Sequence, residues 1–200
     1  EFRLQAEELE AVITEKTKII ILSYPNNPTG AIMEKEDLEA IAKVILKHDL
    51  FVISDEIYSE LSYQNNHISI AAIPGMRDRT VVINGFSKSF AMTGWRLGYA
   101  AAPKLIMEQM TKIHQFAIMA APTSSQYAGI VAIRDCDKEV AEMRESYNQR
   151  RRFLMDAVQK LNLPCFVPYG AFYIFPNISE FGLTSEEFAT QLVLEEKVAV

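Results

Sequence analysis

Asn84 to Pro103 reads NGFSKSFAMTGWRLGYAAAP, and it places one lysine, one arginine and three glycines in the break between two strand-like runs. The β-branched run Thr80, Val81, Val82, Ile83 predicts a buried strand, and Asn84-Gly85 is a turn signal that ends it. Lys88 therefore falls just past a strand end. In an open α/β sheet the carboxyl ends of the strands are where ligands bind, so a lysine there meets a small molecule rather than bulk water. Thr93-Gly94 marks a second turn, and Arg96 follows it. A lysine can be desolvated into a nucleophilic amine that forms Schiff bases, whereas the guanidinium stays charged and forks onto carboxylate or phosphate. The pair points to a carbonyl partner that also carries an anion.

Upstream, Lys18 to Ser23 (KIIILS) has the continuous apolar run of a strand covered on both faces in a parallel sheet. It ends in Tyr24-Pro25-Asn26-Asn27-Pro28-Thr29-Gly30, where two prolines and a glycine predict a tight, extended turn. Leu38, Ile41, Ala42, Ile45 and Leu46 then recur at helical spacing and predict a helix with one apolar stripe. Phe51-Val52-Ile53 is the next strand, so the two strands and their helix form a right-handed parallel crossover. That strand runs into Ser54-Asp55-Glu56-Ile57-Tyr58, at the same carboxyl edge as Asn27. Residues 63–79 read as loop.

Downstream, Leu97 to Ala102 is a further predicted strand, with Pro103 at the start of a helix over 104–121 whose Leu105, Ile106, Met110, Ile113 and Phe116 are expected in the core. Gln126 to Arg134 is expected as a helix with a capping hydroxyl before it. A helix from Lys138 to about Leu161 would be on the order of 35 Å long, enough to leave one domain and enter another. Strand segments are predicted from Phe166 to Phe175 around Pro168-Tyr169-Gly170, and a helix from Ser185 to Glu196. The domain expectation is 1–145 as part of a large domain and 146–200 as the start of a smaller α+β domain. The chain does not begin with methionine and stops at Glu195 to Val200, where a new strand is expected, so it reads as an internal piece of something longer.

At 200 residues, 49% hydrophobic and 23% charged, the chain is expected to be globular with a sizeable core. Its formal charge of -6 argues against nucleic acid as a principal partner. The one basic run, Arg150-Arg151-Arg152, lies in a helical pattern and is expected on a solvated or inter-element face. Cys136 and Cys165 lack metal or redox spacing, so no metal site is expected and the thiols are expected reduced in a cytoplasmic protein. No stretch has the pattern of a signal peptide, and no apolar run is long enough to cross a bilayer, so no membrane partner is expected.

Asn27, Asp55, Tyr58, Lys88 and Arg96 together supply the parts needed to hold pyridoxal 5'-phosphate. Lys88 would carry the aldehyde, and Asp55 would keep the pyridine nitrogen protonated through its opposite charge. Asn27 and Tyr58 would bond the phenolic oxygen, while Arg96 would clamp the phosphate. Taken singly, each has a structural explanation: a helix cap for Asp55, a core ring for Tyr58, a surface ion pair for Arg96, a solvated loop for Lys88. Their joint placement at strand ends favours the site.

The motifs Tyr24-Pro25-Asn26-Asn27-Pro28-Thr29-Gly30, Ser54-Asp55-Glu56-Ile57-Tyr58, Gly85-Phe86-Ser87-Lys88 and Gly94-Trp95-Arg96-Leu97-Gly98-Tyr99, with Gly170-Ala171-Phe172-Tyr173, resemble the class I/II aminotransferases of pyridoxal-phosphate fold type I. The aspartate and aromatic aminotransferase branch is the most similar. The resemblance implies an α/β fold with a three-layer α/β/α large domain, a mostly parallel mixed sheet of seven strands, and part of a small domain. It also implies amino acid and 2-oxo acid substrates and a homodimer with active sites at the subunit boundary. Many relatives carry a phosphate-binding serine three residues before the lysine, and here that position is Gly85, with Ser87 the nearby hydroxyl. The family's phosphate loop and ring-stacking aromatic would lie before residue 1, and its carboxylate-binding arginine after residue 200, so these 200 residues alone are expected to be inactive. Two alternatives stand beside this reading. Carbon-sulfur β-lyases of the same fold tend to carry histidine in place of Tyr58 and to lack the full Met92 to Arg96 sequence. An aminotransferase-like ligand-sensing domain of a transcriptional regulator would need a winged-helix segment upstream.

Overall fold

A computed structural model describes residues 2–200. After helix α1 (Ala6–Val12), strand β1 (Ile19–Ser23), helix α2 (Lys35–Lys47) and strand β2 (Phe51–Asp55) form the expected parallel crossover. Strand β3 (Thr80–Gly85) adds in parallel to β2, and β4 (Gly98–Ala101) closes the far side antiparallel to β3, giving a mixed sheet in the order β1-β2-β3-β4. The fold is therefore α/β. Four strands of the seven implied by the resemblance lie among the described residues.

The core forms on one face of this sheet. Ile20 and Leu22 of β1 and Val52 of β2 point the same way, as period-two alternation requires, and meet Leu38, Ile41, Ala42 and Ile45 of α2. Burying each such side chain contributes about 1.5–3 kcal/mol before entropy is charged against it. Leu46, expected in the stripe, is 40% exposed, and Val44 takes a buried place instead. The segment 63–79 is richer than loop: Ile70, Ile73 and Met76, in and around two single 3-10 turns, complete this core. On the opposite sheet face Ile21 is 72% exposed, and Ile19 and Phe51 are exposed beside it, whereas Val81 of β3, on the same face as Ile21, is buried.

Past the sheet come α4 (Lys104–Ala117), α5 (Thr123–Asp135), α6 (Asp137–Lys160) and α7 (Ser185–Gln191). The apolar stripe of α4 corrects an expectation: the helix has no buried residue, Leu105, Ile113 and Phe116 are exposed, Phe116 at 95%, and Ile106 and Met110 are only partly covered. Helix α5 starts three residues earlier than expected, directly after Pro122, and no hydroxyl caps it. Ser125 instead turns its hydroxyl to the Trp95 carbonyl at 2.6 Å. The strands expected over 166–175 are absent. Isolated bridges, Ser62 to Gly170 and Cys165 to Pro176, are what is found around this segment, and Pro168 within it lacks the N–H a ladder needs. The last predicted helix ends at Gln191 and passes into a π turn (Leu192–Glu196), and residues 197–200 form no strand.

Two turns interlock near the carboxyl edge. Gly30, at φ +69°, accepts on its carbonyl from the backbone N–H groups of Tyr169 (3.0 Å) and Gly170 (2.9 Å). A β-carbon on Gly170 would come within 2.5 Å of Pro25 Cβ and 2.8 Å of Ile32 Cγ2. Gly170→Ala should therefore destabilise the protein by about 1–3 kcal/mol through overpacking, read as a lower denaturation midpoint in urea. An unchanged midpoint would mean that the two turns do not interlock in solution.

Candidate active site

The parallel register aligns three chain exits. Ser23 pairs with Asp55, and Asp55 pairs with Ile83, so the loops after β1, β2 and β3 all leave from one edge. The first exit is folded by Asn26, whose Oδ1 accepts from Thr29 Oγ1 at 2.7 Å, whose Nδ2 donates to Ser23 O at 3.2 Å, and whose backbone N–H donates to Ala31 O at 2.8 Å. Both proline bonds here, Tyr24-Pro25 and Asn27-Pro28, are cis. Asn27 stands exposed at the tip of this turn.

At the second exit Asp55 Oδ1 accepts from the Ile57 N–H at 3.2 Å, which bends the chain into a turn that buries Tyr58. Glu56 points the other way and is 5% exposed. Its carboxylate accepts from Ser54 Oγ (2.9 Å) and Ser69 Oγ (2.6 Å), and lies 3.0 Å from His67 Nε2. Burial pushes this carboxyl up, but His67, Ser69 and Ser54 more than offset that and hold it below the ordinary carboxylate range.

The third exit is a single helical turn, α3 (Phe86–Ser89), which carries Ser87 and Lys88. Phe86 N–H donates to Leu97 O at 3.1 Å and closes the loop onto the start of β4. Within that loop Thr93 Oγ1 donates to Ser87 O (3.0 Å), and Arg96 Nη1 donates to Thr93 O (2.8 Å). Ser87 and Arg96 thus belong to one small unit, with Arg96 exposed and in the left-handed region at φ 54°. Gly85 has a structural reason of its own: a β-carbon there would sit 3.0 Å from Gly98 Cα and 3.0 Å from Leu97 O, across the tightly paired β3 and β4.

The second group gathers around Tyr58. Lys88 Nζ lies 5.9 Å from the Tyr58 ring centroid and 5.7 Å from that of Phe172, within cation-π range. No carboxylate pairs with Lys88 among the described residues. Burial pushes the Tyr58 phenol well above its ordinary range, the Asp55 charge adds to this, and the Asn27 side chain beside it pulls the other way. Sequence reasoning named Asn27, Asp55, Tyr58 and Lys88 but gave no role to Phe172, Tyr173 or Glu56. For the first two, the Gly-Ala-Phe-Tyr motif was the available signal. For Glu56, it was the alternation that must send neighbours of Asp55 to the opposite face.

This geometry has known counterparts. The model of the family "Aminotransferase class I and II" matches residues 1–200. The chain belongs to that family. It is 50% identical over 199 residues to the putative aminotransferase YugH of Bacillus subtilis, covering all of this chain and 52% of that protein. It is 49% identical over 203 residues to an aspartate aminotransferase of Pyrococcus abyssi, again covering all of this chain and 52% of the relative. The solved aromatic aminotransferase of Pyrococcus horikoshii superposes with a TM-score of 0.97 at 46% identity, over all of this chain and 54% of that one. The chain thus spans about half the length of these class I and II aminotransferases.

The buried Glu56 cluster yields a pH expectation. Folding depresses the Glu56 carboxyl, so its stabilisation is present above the unfolded carboxyl's pKa and is lost as pH falls through the lower folded value. Stability of the parent protein should fall between about pH 5 and pH 3 more steeply than that of Glu56→Gln, which should be the weaker variant at neutral pH. Parallel urea melts across that range check this. Equal slopes would show that Glu56 does not contribute.

Proposed function

We propose that this chain is the lysine-bearing part of an aminotransferase that moves an amino group between an L-amino acid of aspartate or aromatic type and a 2-oxo acid, with pyridoxal 5'-phosphate as cofactor. One observation carries the reading: the Lys88 amine stands at a strand end over two aromatic rings, with no carboxylate paired to it among the described residues. An amine so placed is available to a carbonyl group.

The donor set fits this cofactor. Lys88 is the amine for its aldehyde, Asp55 the carboxylate for its pyridine nitrogen, and Asn27 and Tyr58 the neutral donors for its phenolic oxygen. The unit of Ser87 and Arg96 supplies a hydroxyl and a guanidinium for its phosphate. When bound, the cofactor supplies an electron sink for the substrate's α-carbon. Lys88, once free, is the base placed to take the α-proton and return it. Asp55 holds the proton on the ring nitrogen, because opposite charges in a partly dry site favour both charged forms. Tyr58 holds its own proton toward the phenolic oxygen, and its burial keeps water from competing there.

The inferred domain division, 1–145 and 146–200, places the boundary inside α6, which contacts the large-domain side through Met143 and reaches the Pro168 carbonyl through Arg151 at 3.1 Å. A homodimer is in keeping with the exposed apolar stripe of α4, and a cytoplasmic location with the two free cysteines. No helix among the described residues is long and apolar enough to cross a membrane.

Borohydride reduction of the full-length protein with pyridoxal phosphate should fix the label on Lys88, read by peptide mass spectrometry. Label recovered on Lys104 or Lys112 instead would overturn the assignment. Asp55→Asn in the same protein should lower turnover on the order of 100-fold or more, since a neutral amide no longer holds the ring proton. Turnover within a few-fold of the parent would make Asp55 structural.

A further inference from the structure

The hydroxyls of Tyr58 and Tyr173 face each other at 2.7 Å, with their rings edge to face at 5.9 Å. A phenol carries one proton and two lone pairs, so only one member of such a pair donates to the other. Tyr173 makes no other side-chain hydrogen bond through its hydroxyl among the described residues. The chain just before it is anchored twice: Tyr63 donates its hydroxyl to Ala171 O, and Gly170 N–H donates to Gly30 O. Phe172, between them, packs edge-on against Tyr58 at 5.2 Å and stacks on Tyr147 of α6 at 5.3 Å. The 170–173 segment is thus a built wall against Tyr58.

We propose that Tyr173 is a positioning residue that donates its proton to the Tyr58 oxygen and so leaves the Tyr58 proton free for an anionic oxygen in the site. The inference rests on the cofactor reading above. An anionic acceptor makes a hydrogen bond roughly twice as strong as a neutral one. Tyr58 therefore turns its single proton to the cofactor's phenolic oxygen rather than to neutral Tyr173. Tyr173 can keep the 2.7 Å contact only by becoming the donor. A hydroxyl that both accepts and donates is polarised and donates more strongly. The groups facing Tyr58 are Asp55 at the end of β2, Lys88 on α3, Asn27 in the first turn, Tyr147 on α6, and Tyr173 itself. Of these, Tyr173 has its hydroxyl in hydrogen-bond contact with Tyr58 and carries no formal charge, so its removal changes the donor without changing the charge of the site.

The test uses the full-length protein as parent, Tyr58→Phe, Tyr173→Phe and the double variant, reconstituted with pyridoxal phosphate. The readout is the pH midpoint of the bound cofactor's visible absorbance. A weaker donor leaves the phenolic oxygen more basic, so proton uptake becomes easier and the midpoint rises. Tyr173→Phe should raise it by about half a pH unit or more, Tyr58→Phe should raise it further, and the double variant should match Tyr58→Phe alone. A midpoint unchanged by Tyr173→Phe, or a shift that adds in full on top of Tyr58→Phe, overturns the proposal. The cofactor-free protein gives a second arm. Its Tyr58 titration, isolated as the ultraviolet difference from Tyr58→Phe, should move further up when Tyr173 is replaced, because the phenolate loses the donor that stabilises it. If the parent binds no cofactor at Lys88, the functional reading fails, while this second arm still decides the pair: an unmoved Tyr58 titration overturns it.

Discussion

The molecule depends on the register in which its three parallel strands end. Ile20, Leu22 and Val52 are drawn to the same covered face by α2, and this burial allows one pairing of β1 with β2. A slip by one residue would turn Val52 out and Ile53 in, exchanging the whole apolar set between faces. The same constraint acts at the strand ends. With Val52 buried, Ser54 and Glu56 must follow it to the covered side, and Asp55 must face the other way. The orientation of the carboxylate at the site is thus set by hydrophobic packing three residues earlier in the strand.

Alternation also separates two charges that need opposite treatment. Glu56 goes into the protein and is met there by His67, Ser69 and Ser54, since an uncompensated buried carboxylate would cost several kcal/mol. Ser69 accepts from the Ala71 N–H as well, so the same hydroxyl ties the carboxylate to the 3-10 turn that carries Ile70 into the core. Lys88 is treated differently. It is half-buried over aromatic faces, which give a cation weak electrostatic support without satisfying its hydrogen-bonding capacity. One group is fully compensated and structural, and the other is held in place while its reactive atom stays available.

Much of this was legible in the amino-acid sequence where local pattern and tertiary demand agree. The Ile19 to Ser23 run, the α2 stripe and the β-branched Thr80 to Ile83 run each have a single physical solution, and the turns after them follow from Pro, Gly and Asn. Tyr58 and Lys88 could be placed at one edge because they sit a few residues past strand ends. The pattern misled where the burying surface is not local. Helix α4 carries a good apolar stripe, yet periodicity states only which face is apolar and not whether anything covers it. The 166–175 segment has strand-like residues, but Pro168 within it has no N–H to give a ladder, and it is held by contacts to Gly30 and Tyr63 that no local pattern encodes. Ile70, Ile73 and Met76 were hidden for a related reason: single 3-10 turns are too short to show a period.

Those long-range contacts explain why a site begun by residues 27, 55 and 58 is walled by residues 172 and 173. Arg151 of α6 reaches the Pro168 carbonyl and lies between the rings of Tyr63 and Tyr169, at 5.3 Å and 5.8 Å from their centroids. A planar guanidinium can bond at its edge while stacking on its faces, which a lysine ammonium cannot do. Tyr63, pushed up to about 12 by burial, keeps its proton and donates it to Ala171 O, next to the residues that touch Lys88 and Tyr58. Helix α6, the turn at Pro168 and the loop after Tyr58 are in this way joined through one arginine and two tyrosines. Phe172 and Tyr173 lie within a few residues of Tyr169 and Ala171 on an otherwise unladdered chain, so these contacts fix where the two rings stand. The placement of Phe172 and Tyr173 against Tyr58 therefore depends on these contacts of α6 as well as on the sheet whose end carries α3 and Lys88.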